Sequence, residues 1–139
     1  MTDRQRVRIL VVEDNVDDTE LARRVLERCG VLQDAHFIKD GADAADYIFG
    51  TGPFANQGIP KALKLILLDL HLPRIPGMDL LRRIKANQLT QSIVTVMLTA
   101  SETENDVLKS YNFGSNSYML KPIEVDRFQH IYNTFLRDG

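Results

Sequence analysis

The sequence predicts an α/β fold, with five parallel strands in one sheet and helices on both of its faces. Three observations lead there. Short apolar runs alternate with stretches of helical periodicity along the whole chain. The strand runs are continuously apolar, the pattern of strands buried on both sides, rather than alternating. Gly and Pro punctuate the connections. A chain of 139 residues suits a single domain over 1–139 and is long enough to bury a real core.

The elements follow in order. Val7 to Val12 is rich in β-branched residues and reads as the first strand. The first helix follows, with Leu21, Ala22, Val25, Leu26 and Cys29 in one stripe, Asn15 as its cap and Gly30 at its end. Asp34 to Lys39 is a short second strand. Gly41 opens a small helix whose inner face is Ala44, Ala45, Ile48 and Phe49. A long loop over 50–62 holds Gly50, Gly52, Pro53, Gly58 and Pro60. Lys64 to Leu70 is the most hydrophobic strand, and a third helix follows with Leu80, Leu81 and Ile84 inward. Ser92 to Leu98 is the fourth strand, and Glu104 to Phe113 is a fourth helix with Val107, Leu108 and Tyr111 inward. Ser117 to Leu120 is the fifth strand, and a last helix carries Phe128, Ile131, Tyr132 and Phe135. Right-handed crossovers and five strands make the flavodoxin-like, doubly wound order 2-1-3-4-5 the natural arrangement.

Composition narrows the function. The apolar share is 44% and the charged share 26%, ordinary for a soluble globular protein. A net charge of −2 is no footprint of a nucleic-acid binder. Arg4, Arg6 and Arg8, like Arg82, Arg83 and Lys85, read as solvated basic patches. The single cysteine, Cys29, excludes an internal disulfide and reads as core. No apolar run reaches membrane-spanning length, and the start has no signal-peptide core, so a cytoplasmic protein is expected. No G-x-x-x-x-G-K-[ST] is present, which removes a P-loop NTPase.

In a doubly wound sheet the ligand site lies beyond the carboxyl ends of the strands. Those ends carry Glu13 and Asp14, Asp69, Thr99 and Lys121. Strands one and three are neighbours in the expected order, so the three acids converge. At ~4 Å and an effective dielectric of about 20, each like-charge pair costs about 4 kcal/mol. A cation relieves that cost, and oxygen-only ligands select a hard one. Mg²⁺ suits a cleft with few protein ligands. A carboxylate beside it can attack phosphorus, Lys121 can pair with a phosphoryl oxygen and Thr99 can donate to another. Singly, each residue has an ordinary explanation: a helix cap, a strand-end turn, a β-former, a solvated lysine. Those explanations would all have to hold at once on one rim of the sheet.

At these residues the chain resembles the receiver domain of bacterial two-component response regulators. The matching stretches are I-L-V-V-E-D-N (9–15), L-I-L-L-D-L-H-L-P (65–73) with Gly77, V-M-L-T-A (96–100) and Y-M-L-K-P (118–122). The resemblance implies that Asp69 is the phosphoacceptor, and that Glu13, Asp14, Asp69 and the backbone carbonyl of His71 hold Mg²⁺. It also implies that Thr99 and Lys121 bind the phosphoryl group, that Tyr118 turns inward as Thr99 moves, and that the Lys121–Pro122 bond is cis. The long 50–62 loop, D-Y-I-F-G-T-G-P-F (46–54) and S-Y-N-F-G-S-N-S-Y (110–118) are similar to the single-domain regulators that serve bacterial phytochrome histidine kinases. The His71 side chain follows the acceptor by two residues; whether it acts on the attacking water or is an idle exposed ring stays open.

The expected function is a phosphorelay switch for signal transduction. A histidine kinase, of phytochrome type by resemblance, phosphorylates Asp69, and a protein-binding face changes. The chain is expected to catalyse its own phosphoryl transfer and slow autodephosphorylation, without being an enzyme in the turnover sense. With L-R-D-G closing the sequence, output is expected through protein contact. A homodimer through the fourth helix, fifth strand and fifth helix is the expected arrangement, given Tyr111, Phe113, Tyr132 and Phe135 there. Two other functions fit part of the pattern. A phosphate-independent adaptor would not need the full set of site residues. A haloacid-dehalogenase-like phosphatase would end its first strand in D-x-D, where this chain has E-D-N.

Overall fold

The computed structural model describes residues 3–104, 106, 114 and 117–136. Five strands, β1 (Ile9–Val12), β2 (Ala35–Ile38), β3 (Leu65–Asp69), β4 (Val94–Thr99) and β5 (Ser117–Leu120), form one sheet. All pairings are parallel and the order is β2-β1-β3-β4-β5, the flavodoxin-like arrangement the sequence predicts. The helices are α1 (Val16–Arg28), α2 (Gly41–Phe49), α3 (Gly77–Ala86) and a C-terminal helix (Val125–Phe135). Residues 102–104 and 106 are helical and begin the expected fourth helix. The rest of it, with Val107, Leu108, Tyr111 and Phe113, lies outside the described residues.

The sheet separates two apolar cores, because successive strand residues point to opposite faces. Leu10, Val12, Ile66, Leu68 and Met97 face α2 and α3, where Ala44, Ile48, Leu80, Leu81 and Ile84 meet them. Ile9, Val11, Leu65, Leu67 and Leu98 face α1 and the C-terminal helix, against Ala22, Leu26, Phe128 and Ile131. Every residue of β1 and the first four of β3 are fully buried, which is why both runs are continuously apolar.

Local chemistry fixes the helix ends near the strand tips. The Asn15 side chain caps α1 by accepting from the Asp18 N–H, and Gly30 ends the helix region at φ +76°. Asp40 caps α2 through the N–H groups of Ala42 and Asp43. At Gly77 a Cβ would collide with the Asp69 carbonyl, so only glycine lets α3 start this close to the end of β3.

Three expectations need correction. Leu21 is exposed rather than part of the α1 stripe; Ala22, Val25 and Leu26 carry the burial. Phe135 is exposed at the end of its helix, and Phe49 and Tyr132 are only half-buried, whereas Tyr47 is buried on α2. Arg4 is not a solvated patch. It is 4% exposed, donates to the carbonyls of Tyr47 and Gly58, and lies over the rings of Tyr47 and Phe54. The long loop is folded back onto α2, and it supplies the groups that make this burial tolerable.

Candidate functional site

The strand order sets the site. Val12 pairs with Leu68, so the next residues, Glu13 and Asp69, emerge side by side at the tips of β1 and β3. Both are buried, 2% and 3% exposed. Thr99 ends β4, next to β3, and is fully buried. Lys121 follows β5, one residue beyond the pairing of Leu120 with Thr99, and its bond to Pro122 is cis.

The Lys121 ammonium is the centre of the arrangement. Its Nζ lies 3.2 Å from Asp69 Oδ1, 3.3 Å from Glu13 Oε1 and 3.2 Å from Asp18 Oδ2. Burial would lower the lysine's pKa, but the Asp69 and Glu13 charges and the Asp18 bond outweigh it and raise it to about 12. Glu13 moves the other way for an acid. Burial and the neighbouring Asp69 push it up to about 7, against the Asn15 N–H and Lys121, which favour its ionised form. Two carboxylates are thus pressed together in a desolvated place, with one cation between them.

The remaining expected residues are distributed around this centre. Asp14 is exposed and is not among the partners of Lys121. The Thr99 hydroxyl is buried and has no hydrogen-bond partner among the described residues. The His71 ring is exposed and its Nε2 lies 2.8 Å from Glu104 Oε2. The other Glu104 oxygen accepts from the Ala100 N–H, so His71 is tied to the loop after β4. Tyr118 is half-buried against the α2 and α3 core.

Sequence reasoning missed Asp18 and Glu104 as members of this region. Asp18 carried one signal, an acid in the first turn of α1, which any helix would welcome. Its reach to Lys121 depends on where α1 lies over the sheet. Among the described residues no three His, Cys, Asp or Glu side chains gather closely enough to hold a metal ion. The Lys121 ammonium lies 3.3 Å from Glu13 and 3.2 Å from Asp69, and Asp14 is exposed. The donor chemistry nonetheless fits a hard divalent ion, since Glu13 and Asp69 offer adjacent buried oxygens.

A family model described as the response regulator receiver domain matches residues 9–133. The chain belongs to that family. Response regulator Rcp1 of Synechocystis sp. is 36% identical over 113 residues, covering 81% of this chain and 75% of that protein. The solved bacteriophytochrome response regulator RtBRR is 40% identical with a TM-score of 0.80, covering 89% of this chain and 74% of the other. A solved Mn²⁺-bound form of response regulator Rcp1 is 32% identical with a TM-score of 0.76, covering 96% of each chain. The chain is thus a two-component receiver, close to phytochrome response regulators, as its motifs led us to expect. Receiver domains work with sensor histidine kinases, and a relative of this one holds a divalent metal. Among the described residues of this receiver, no helix is long and apolar enough to cross a membrane.

Proposed function

We propose that the chain is a single-domain receiver over 1–139 that accepts a phosphoryl group on Asp69 from a sensor histidine kinase. One observation carries the assignment: the Asp69 carboxylate sits 3.2 Å from the Lys121 ammonium at the strand-tip rim, with a buried Thr99 hydroxyl that has no acceptor among the described residues at the next strand end. A phosphoryl group on Asp69 would give both donors an oxygen. Glu13, Asp14, Asp69 and the His71 carbonyl would hold Mg²⁺. When bound, the ion supplies positive charge to offset the acids and the incoming phosphoryl oxygens.

The chain's own residues do the rest. An Asp69 oxygen forms the new bond to phosphorus while the bond to the kinase imidazole breaks, and the leaving nitrogen keeps its electron pair and takes a proton from water. Lys121 neutralises one phosphoryl oxygen and Thr99 donates to another. Attack by water on the same phosphorus later regenerates Asp69, slowly. Thr99 moves toward the phosphoryl group, Tyr118 turns into the space it leaves, and the surface formed by the fourth helix, β5 and the C-terminal helix changes. Moving such a switch from 1:99 to 99:1 takes about 5.5 kcal/mol, the scale of a few charge-assisted bonds.

The partner kinase is of phytochrome type, an assignment supported by the likeness to RtBRR and Rcp1, and the setting is the cytoplasm. The same changing surface pairs two copies; exposed Phe135 and half-buried Tyr132 support this. Mass spectrometry after incubation with acetyl phosphate and Mg²⁺ tests the central step. One phosphoryl adduct is expected, absent in Asp69→Asn; an unmodified, folded, metal-loaded wild type overturns it. Sedimentation with and without a phosphate analogue tests pairing, and monomer in both removes it.

A further inference from the structure

Asp18 belongs to no motif of the strand tips, yet its ion pair with Lys121 closes a ring of polar contacts around the ammonium. The Asn15 N–H donates to Glu13 Oε2 at 3.0 Å, and the Asp18 N–H donates to Asn15 Oδ1 at 2.9 Å. The Lys121 ammonium then donates to Glu13 Oε1 at 3.3 Å and forms an ion pair with Asp18 Oδ2 at 3.2 Å, which completes the circuit. An ammonium has three N–H bonds. Glu13 and Asp69 accept from it, and Asp18 lies at ion-pair distance.

We infer that Asp18 is a positioning residue for phosphoryl transfer, holding the Lys121 ammonium against Asp69 from the first turn of α1. The inference rests on Asp69 being the phosphoacceptor. Lys121 reaches the site on a flexible four-carbon stem, and a cation on such a stem helps a transition state only where its position is already fixed. Without Asp18, Glu13 and Asp69 alone hold the ammonium. Asp18 supplies the third point, and its own backbone is held by the Asn15 cap, so the anchor is rigid. Asp18 is partly exposed, 28% by side chain, and the effect of removing it is correspondingly moderate.

The test compares Asp18→Asn with Asp17→Asn. Asp17 is exposed on the same helical turn, so the control carries the same change in charge and helix dipole without touching the lysine. With acetyl phosphate and saturating Mg²⁺, Asp18→Asn is expected to slow formation of the phosphoryl adduct about fivefold while Asp17→Asn leaves it near wild type. In a Lys121→Arg background the Asp18→Asn penalty is expected to vanish, because the group it orients has been replaced. A second readout needs neither donor nor metal: the ¹⁵N–¹H signal of the Lys121 ammonium is expected to shift and to exchange faster with water in Asp18→Asn only. An unchanged signal, an unchanged or faster rate in Asp18→Asn, equal slowing by Asp17→Asn, or a penalty that persists in the Lys121→Arg background overturns the inference. If wild type takes no phosphoryl group while the ammonium signal still depends on Asp18, the assignment of Asp69 fails instead, and the two failures are told apart.

Discussion

Half-buried Lys121 and buried Arg4 are two cations satisfied in opposite ways. Lys121 sits among three carboxylates, Glu13, Asp18 and Asp69, and its charge is kept by theirs. Arg4, more deeply buried, has no acidic partner among the described residues. Two backbone carbonyls and the faces of Tyr47 and Phe54 hold it, and burial lowers its pKa. A charge balanced by ionisable groups responds when one of those groups is modified. A charge balanced by fixed dipoles and ring quadrupoles does not. The first arrangement is built to change; the second rivets the long loop to α2.

The largest effect should separate the two sites by kind. Lys121→Ala is expected to slow phosphoryl transfer to Asp69 about 100-fold, the usual cost of a lost electrostatic donor. Arg4→Ala should leave the rate of its folded fraction near wild type; timing the adduct in both variants checks this. Equal loss of rate in both would break the comparison.

Stability reverses the ranking. Arg4→Ala is expected to cost about 3 kcal/mol in urea denaturation, because the carbonyls of Tyr47 and Gly58 lose a buried donor. Arg4→Lys should recover little, since an ammonium cannot reproduce the planar fork between two rings.

A finer measurement probes the rivet's weak point. The Tyr47 hydroxyl is buried without a hydrogen-bond partner among the described residues, and burial pushes its pKa up to about 12. Tyr47→Phe is therefore expected to stabilise the fold by about 1 kcal/mol. A loss of stability of that size would show that the hydroxyl has a partner.

The smallest effect concerns a third cation, exposed Arg74, which pairs with Asp40 and Asp43. Its hydrogen bond holds the Asp40 carboxyl below the usual carboxylate range, and the caps to Ala42 and Asp43 act in the same direction. A lowered folded pKa means stability that is present above about pH 4 and lost as pH falls through the folded value. Asp40→Ala should cost about 1 kcal/mol at neutral pH, from the helix cap. The gap in Tm between it and wild type should shrink steadily in a pH series below about 4.

Much of the site was legible because strand-tip chemistry is a local property of the sequence. Glu13, Asp69, Thr99 and Lys121 each follow an apolar run directly, so finding the strands finds the rim. The contributions of α1 and of the long loop were not legible in that way. Asp18 meets Lys121 across more than a hundred residues, and Arg4 meets Gly58 across 54. No local period encodes either contact.

The sequence by itself determined five strands, their parallel winding and the set of chemical groups at their ends. Apolar periodicity and chain handedness suffice for that, since both act on neighbouring residues and on one connection at a time. Only the tertiary structure decided which acids share the lysine, why Asp14 stays outside that group, and that a basic residue near the start is core rather than surface. Those outcomes depend on where helices and loops come to rest over the sheet. Placement of that kind is fixed by the packing of many side chains together, and no single stretch of chain carries it.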